Sequence, residues 1–407
     1  MTEVRAAVMR GPREIGLERF PLPEPEPGAV VMRVALSGIC GTDKHTFRGE
    51  TLQYAGTPHE RQIAYPLICG HENVGTIAAI GGADEIAAAD GRPLKVGDRI
   101  VPGANVPCGE CWYCLTGEPY YLCERMEDYG NSLDAARPPH LFGGWAEYLY
   151  LLPRSRLFRV PEELPDEVAV LTEVMAVTHG VETAMTLLGL QGASPSGYTV
   201  AVLGSGPLGL CHVIKARLSG AGTIIATDKL AGRLAAAGKF GADLVLDVTA
   251  TDGPERAAAV AAATRGLGAD IVIDCSGFPE TFTEALALVR TGGVVIEAGT
   301  FVDLGPVPVN PNSAICTRNV TVLGIGGEKA SSYEPSMRML AANLGRYPFG
   351  EIVTHRFGLG EVAEALAVAQ SGEAMQVVVD PAAPAAGPAH VSGTGQETAA
   401  NDGRTDS

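Results

Sequence analysis

An irregular, mostly β segment followed by a doubly wound parallel sheet is the α/β fold class that this sequence predicts, and two observations predict it. Up to about Pro165, short β-like runs alternate with Gly and Pro. From about Leu171 the texture changes, and strand-like runs alternate with helix-like apolar stretches. The length of 407 residues also calls for two or three domains rather than one.

The early strands fall at 30–37, 74–80 and 99–101, each bounded by turn residues. The later ones fall at 199–204, 223–228, 244–247, 270–277, 294–300 and 319–326, with helical patterns at 208–218 and 229–240. Beyond Gly326 two more helices (333–344 and 359–371) precede a strand-like run at 376–380. Residues 381–407 are rich in Ala, Pro, Gly and Ser, bury too little to offset their ordering entropy, and are expected to be disordered.

Composition excludes several classes of function. A hydrophobic share of 46% with 19% charged residues fits a well-packed soluble protein. The formal charge of -17 repels phosphate, so general affinity for nucleic acid or an anionic membrane is not expected. No run of eighteen apolar residues appears, and the charged N-terminus lacks the apolar core of a signal peptide. A cytoplasmic location is expected, where nine cysteines read as metal ligands or core residues before disulfides.

The run from Thr199 to Gly209 reads as a strand, a glycine turn and a helix start. Gly204, Gly206 and Gly209 make G-x-G-x-x-G, where a tight turn, approach to pyrophosphate and close helix packing each need a missing Cβ. Asp228 ends the next strand, placed to accept from both ribose hydroxyls of NAD and to repel a 2′-phosphate. Lys229 and Arg233 follow closely and leave some tolerance of NADP open.

Cys108, Cys111, Cys114 and Cys123 put four thiols on one short loop, a spacing suited to a closed, structural tetrahedral zinc. Adjacent disulfides in so tight a loop would be strained. Cys69, Cys211, Cys275 and Cys316 sit in apolar runs and are expected in the core.

Cys40 and His71, in Gly38–His45 and Gly70–Gly75, offer a thiolate and an imidazole. A Lewis acid that acidifies a bound hydroxyl needs about three protein ligands and an open position. The third must come from elsewhere, and Glu173, at the domain junction, is the nearest suitable candidate. One thiolate and one carboxylate would neutralise Zn²⁺.

Taken in order, G-x-C-G-T-D-x-H, G-H-E, the cysteine tetrad, G-G-x-A-E-Y at Gly143–Tyr148 and the glycine turn resemble the zinc-containing medium-chain alcohol dehydrogenases over about residues 1–380. The resemblance implies a GroES-like, mostly β catalytic domain from residues 1–170 and 327–380, with a zinc lobe at 105–125. A Rossmann cofactor domain would span 171–326. It further implies Cys40 and His71 as catalytic zinc ligands, with Glu72 able to approach or exchange onto the metal. Thr42 and His45 would relay the alcohol proton, with Asp43 orienting a ligand from behind; a hydroxyl followed by an imidazole makes a physically sensible wire. A homo-oligomer, dimer or tetramer, is implied too.

The sequence departs from the family in three places. Cys40 and His71 are 31 positions apart, so residues 48–64 read as an insertion that lines or covers the substrate pocket. The tetrad's last spacer is eight residues rather than seven, and the segment around Glu173 lacks a Glu-Pro pair. Glu in the third ligand slot is similar to the sorbitol and threonine dehydrogenase branches, which implies a polyol, sugar-derived or amino alcohol oxidised to a ketone with NAD. Two rival readings stand beside this one. A zinc-independent quinone or enoyl reductase is disfavoured by the G-H-E motif, and a non-catalytic zinc- and nucleotide-binding relative by the Thr42–His45 pair. His59, His140, His179, His212, His355 and His390 carry no motif and read as structural or exposed, with His179 nearest the site.

Overall fold

A computed structural model describes residues 2–57, 60–117, 119–192 and 196–383. His59, His390 and residues 384–407, most of the tail expected to be disordered, lie outside the described residues.

Two sheets organise the chain. In the first, the strands run in the order Leu157–Arg159, Arg99–Pro102, Asn73–Ile80, Val30–Gly38, Gln376–Val379 and Val353–Phe357, and Tyr148–Leu151 also pairs with Val30–Gly38. Its last two members come from the far end of the chain. Val378 pairs with Gly38 and Val379 with Ser37, so the C-terminal strands finish a sheet begun at the N-terminus. This pins the Gln376 strand beside the turn that carries Cys40: the Ile39 N–H donates to the Val377 carbonyl at 2.9 Å. An N-terminal hairpin, Glu3–Gly11 with Glu14–Pro21, packs on the same body and was not evident from the pattern of the sequence.

The second sheet is entirely parallel, ordered Leu244–Asp247, Thr223–Asp228, Thr199–Leu203, Ala269–Asp274, Val289–Glu297 and Thr321–Gly324. Its strands read as unbroken apolar runs because helices cover both faces. Val200 and Val202 point into one buried cluster, Ala201 and Leu203 into another. The strand order reverses beside Thr199–Leu203, and at such a switch point a crevice opens at the carboxyl ends of the strands. The two helices recognised from sequence appear at Pro207–Leu218 and Ala231–Lys239; Gly253–Ala263 and Pro279–Leu288 are additional.

The halves meet through an apolar interface. Helix Thr172–Val177 and helix Ala330–Ala342 share a buried cluster that includes Leu171, Met175, Leu210, Ile214, Tyr333 and Met337. Phe158 stacks on Tyr333 with ring centroids 4.4 Å apart. Burying such side chains contributes roughly 1.5–3 kcal/mol each, so the walls of the cleft are held firmly. Two core assignments are corrected: Cys316 is exposed, because Asn312–Cys316 forms a surface turn, and Cys275 is only partly buried, while Cys69 and Cys211 are buried.

Close backbone approach explains the G-G-x-A-E-Y run. A Cβ on Gly143 would lie 1.9 Å from the Ile68 carbonyl oxygen, and one on Gly144 would lie 1.7 Å from Asn73 Oδ1. Glu147 accepts from Arg5, with Nη2 to Oε1 at 2.8 Å, tying the hairpin down. Gly144→Ala should therefore cost about 1–3 kcal/mol in denaturant unfolding. Gly189→Ala is the control, because a Cβ there meets nothing within 4 Å; in helix Gly180–Leu190 it should stabilise by up to about 1 kcal/mol.

Candidate active site

The Cys40 turn and the His71 turn are joined by one carboxylate. Cys40 precedes helix Gly41–Arg48, a helix not anticipated from its polar sequence. Asp43, in its first turn, is 1% exposed. Its Oδ2 accepts from the Cys40 N–H at 2.8 Å, and its Oδ1 accepts from the Gly70 N–H at 3.4 Å. The same Oδ1 lies 3.9 Å from His71 Nδ1. A negative charge at a helix N-terminus is favourable, and here it also fixes the spacing of two loops 31 positions apart in sequence. Gly70 must be glycine: its φ is +93, and a Cβ would lie 2.4 Å from Ser37 Oγ.

Within this frame the Cys40 sulfur, a His71 ring nitrogen and a Glu72 carboxylate oxygen all lie within 4.8 Å of one another. Glu72 is buried; its Oε2 accepts from Gln376 Nε2 at 2.6 Å, and it sits where a Gly38 Cβ would be, 1.9 Å away. Burial raises the Cys40 thiol, although His71 beside it pulls the other way. Burial disfavours the His71 imidazolium, but Cys40 and Asp43 outweigh it and hold its pKa well above the ordinary range. Burial pushes Glu72 up to about 7. A partly buried thiol and imidazole and a buried carboxyl within 4.8 Å of one another, with His71 Nδ1 lacking a hydrogen-bond partner among the described residues, form a donor set suited to zinc. Glu173, the sequence candidate for third ligand, is outside this group. It is buried nearby, and burial followed by repulsion from Glu328 keeps its pKa well above the carboxylate range.

Thr42 and His45 line the same cavity. Three positions apart on the helix, they share a face. His45 Nδ1 lies 2.5 Å from Glu50 Oε2 and 2.9 Å from Arg48 Nη2. One ring nitrogen thus faces both an acceptor and a donor, so the imidazole has a partner with or without a proton there. Burial lowers the His45 pKa, Glu50 raises it, and Arg48 lowers it again.

The cavity, of about 1040 Å³, runs from this group to the glycine turn and Asp228. Gly204 has φ +87 and a Cβ there would lie 2.9 Å from Ser276 Cα; one on Gly209 would lie 1.8 Å from the Gly204 carbonyl oxygen. Gly206 lies at the start of helix Pro207–Leu218, whose first N–H groups face an incoming phosphate. Asp228 accepts from the Ser205 N–H at 2.8 Å and the Leu230 N–H at 3.0 Å, and Arg233 stands 3.9 Å from it.

The tetrad is brought together as well, with all four sulfurs within 4.8 Å. Cys111 lies 3.5 Å from Cys114 and 3.9 Å from Cys123, and Cys108 lies 4.0 Å from Cys114. A tetrahedron with Zn–S of about 2.3 Å has S···S edges of about 3.8 Å, whereas a disulfide needs about 2.05 Å. Desolvation opposes ionisation of Cys108, but N–H donors from Glu110 and Cys111 bring it down to about 6. Burial drives Cys123 up to about 12. The last spacer contains the short helical turn Tyr120–Leu122.

His179 is a packing residue: it stacks on Tyr121 at 5.7 Å and its Nε2 contacts the Gly327 carbonyl at 3.2 Å. Several cavity residues carried no sequence signal. Glu328 is held by Asn105, at 2.7 Å to each oxygen, by Tyr120 and by Tyr333. Tyr54, from the inserted segment, and Asp128 also line the wall.

Known proteins with these features form one class. Residues 26–162 match the family model for the alcohol dehydrogenase GroES-like domain, and 207–342 match that for zinc-binding dehydrogenase. A Mycobacterium tuberculosis protein assigned as an alcohol dehydrogenase is 36% identical over 377 residues, covering 91% of this chain and 95% of its own. Sorbitol dehydrogenase of Bombyx mori is 30% identical, covering 93% and 99%. The crystal structure of an alcohol dehydrogenase from Thermotoga maritima superposes with TM-score 0.83 at 29% identity, covering 93% of this chain and 100% of that one. A Sinorhizobium meliloti 1021 structure that holds NADP gives 0.77 at 28%, covering 94% and 100%. The chain belongs to the zinc-binding alcohol dehydrogenase family and is an alcohol dehydrogenase. Among the described residues no helix is long and apolar enough to cross a membrane.

Proposed function

We propose that the enzyme reversibly oxidises a secondary alcohol, of polyol, sugar-derived or amino-alcohol type, to a ketone with NAD as hydride acceptor. The observation that carries this reading is the convergence of Cys40, His71 and Glu72 in the cavity that also holds the glycine turn and Asp228. Zinc supplies Lewis acidity that eases loss of the hydroxyl proton, and the nicotinamide supplies the hydride acceptor. Cys40, His71 and Glu72 would hold that zinc, with Glu173, which lines the same cavity, as the other carboxylate candidate; the tetrad would hold a second, structural ion. Asp228 favours NAD: its carboxylate, held by the Ser205 and Leu230 N–H groups, can still accept from ribose hydroxyls through its remaining lone pairs and would repel a 2′-phosphate. Thr42 would take the alcohol proton and hand it to His45, and Glu50 and Arg48 would hold that ring in line. Residues 1–170 with 327–380 make the catalytic domain in this reading, and 171–326 the cofactor domain. The resemblance that named the ligands also implies a homo-oligomer, dimer or tetramer, and the cysteine content suits a cytoplasmic location.

Two tests follow. Purified enzyme should carry about two zinc per subunit and produce NADH from some member of a panel of secondary alcohols. Cys40→Ser should lower kcat/KM by on the order of 10³-fold, equivalent to about 4 kcal/mol of lost Lewis-acid stabilisation; unchanged turnover would sink the mechanism. Second, Glu50 raises the His45 pKa, and His45 must be neutral to accept a proton during oxidation. Glu50→Gln should therefore lower that pKa and move the acidic limb of the kcat/KM profile to lower pH. A shift to higher pH, or none, contradicts the role given to His45.

A further inference from the structure

We propose that Asp128 is a second recognition point, accepting a hydrogen bond from a hydroxyl carried on the substrate beside the carbinol that reacts. The inference rests on the dehydrogenase reading above and specifies its substrate class: a vicinal diol or longer polyol.

Asp128 is only 5% exposed. Its Oδ2 is paired with Arg61, and its backbone N–H donates to Ser132 Oγ at 2.8 Å. Oδ1 is buried and has no hydrogen-bond partner among the described residues. Leaving a buried carboxylate oxygen without a donor is costly, and Asp128 is one of the residues lining the cavity shared with Cys40, His71 and Glu173. Other polar groups of that wall are already engaged. The Glu328 oxygens are taken by Asn105, Tyr120 and Tyr333. Asn131 and Gln53 satisfy each other, at 2.9 and 3.3 Å.

The wall is close to the reacting centre. Gly130, two residues on, has φ +66, and a Cβ there would lie 2.6 Å from the Gly70 carbonyl oxygen, one residue before His71. The inserted segment holds the carboxylate from behind. Arg61 donates to the Met126 carbonyl at 2.9 Å and to Gln53 Oε1 at 3.3 Å. Its guanidinium sits 5.2 Å from the Tyr54 ring centroid, and Tyr54 meets Phe301 edge-on at 5.6 Å. Gln53 also forms a β-bridge with Val302. Gln53, Tyr54 and Arg61 thus brace a pocket wall and preset one acceptor in it. Because Arg61 neutralises Asp128, the subsite suits an uncharged hydroxyl better than an ammonium group.

The test compares three substrates of one carbon skeleton on the zinc-loaded enzyme with NAD: 1,2-hexanediol, 2-hexanol and 1-amino-2-hexanol. The diol should exceed the mono-alcohol in kcat/KM by at least about tenfold, since a site built to hydrogen-bond a hydroxyl rejects the analogue lacking it. Asp128→Asn should reduce that preference. The double variant Arg61→Met with Asp128→Leu, which removes both charges without orphaning either, should bring the diol-to-mono-alcohol ratio close to parity, with retained zinc content checking that the fold survives. Equal wild-type rates on diol and mono-alcohol, a preference surviving in the double variant, or an amino alcohol outrunning the diol would each overturn the inference and leave the dehydrogenase reading standing. No NADH from any of the three, with zinc and NAD bound, would remove both.

Discussion

A single buried carboxylate sets the geometry of the site. Asp43 takes N–H donors from Cys40 and Gly70 and faces His71 Nδ1. Removing a carboxylate from water is expensive unless it is paired and hydrogen-bonded. The expense is offset in part here by a helix N-terminus, two backbone amides and a nearby imidazole, although burial still raises the Asp43 pKa. These partners belong to the two segments that carry Cys40 and His71. Buried charge, usually a liability, serves as a spacer that holds a thiol and an imidazole close enough to share one ion.

Around this tie the backbone packs without room for a Cβ. Gly38 yields its space to Glu72, Gly70 to Ser37 and Trp145, Gly130 to Gly70, and Gly144 to Asn73. Three of the chain's separated segments therefore converge on the His71 loop, and the C-terminal strand adds Gln376 as donor to Glu72. The apolar interface through Tyr333 and Met175 then fixes this body against the parallel sheet. Cys40, His71 and Glu72 consequently border the same cavity as the glycine turn and Asp228. Charge balance follows the same plan: one thiolate and one carboxylate would offset a divalent ion, and Arg61 offsets Asp128.

Much of this was legible in the sequence because its signals are local. The parallel strands are continuous apolar runs, and the glycine turn and the cysteine tetrad each lie within a few residues, so their spacing carries their meaning. What escaped depends on distant segments. Helix Gly41–Arg48 is polar and short, and its stability comes from Asp43 reaching another loop. Glu72 and Glu173 were both visible as carboxylates, yet only the pairing of the Gln376 strand beside Gly38 shows why Glu72 turns toward Cys40. Cys316 follows Ala314 and Ile315, an apolar run that a surface turn nonetheless exposes. Asp128 has no motif at all, since its partner Arg61 is 67 positions away and belongs to the inserted segment.

The most direct test of the account is zinc content, by elemental analysis, of purified Asp43→Ala. Loss of a group that orients metal ligands typically weakens metal binding by about 10–100-fold. The account predicts that after dialysis against a mild chelator the wild type retains about two zinc per subunit. The variant should retain about one, in the tetrad, and lose dehydrogenase activity that excess zinc partly restores. A variant that keeps both ions under the same dialysis and turns over at the wild-type rate would contradict it.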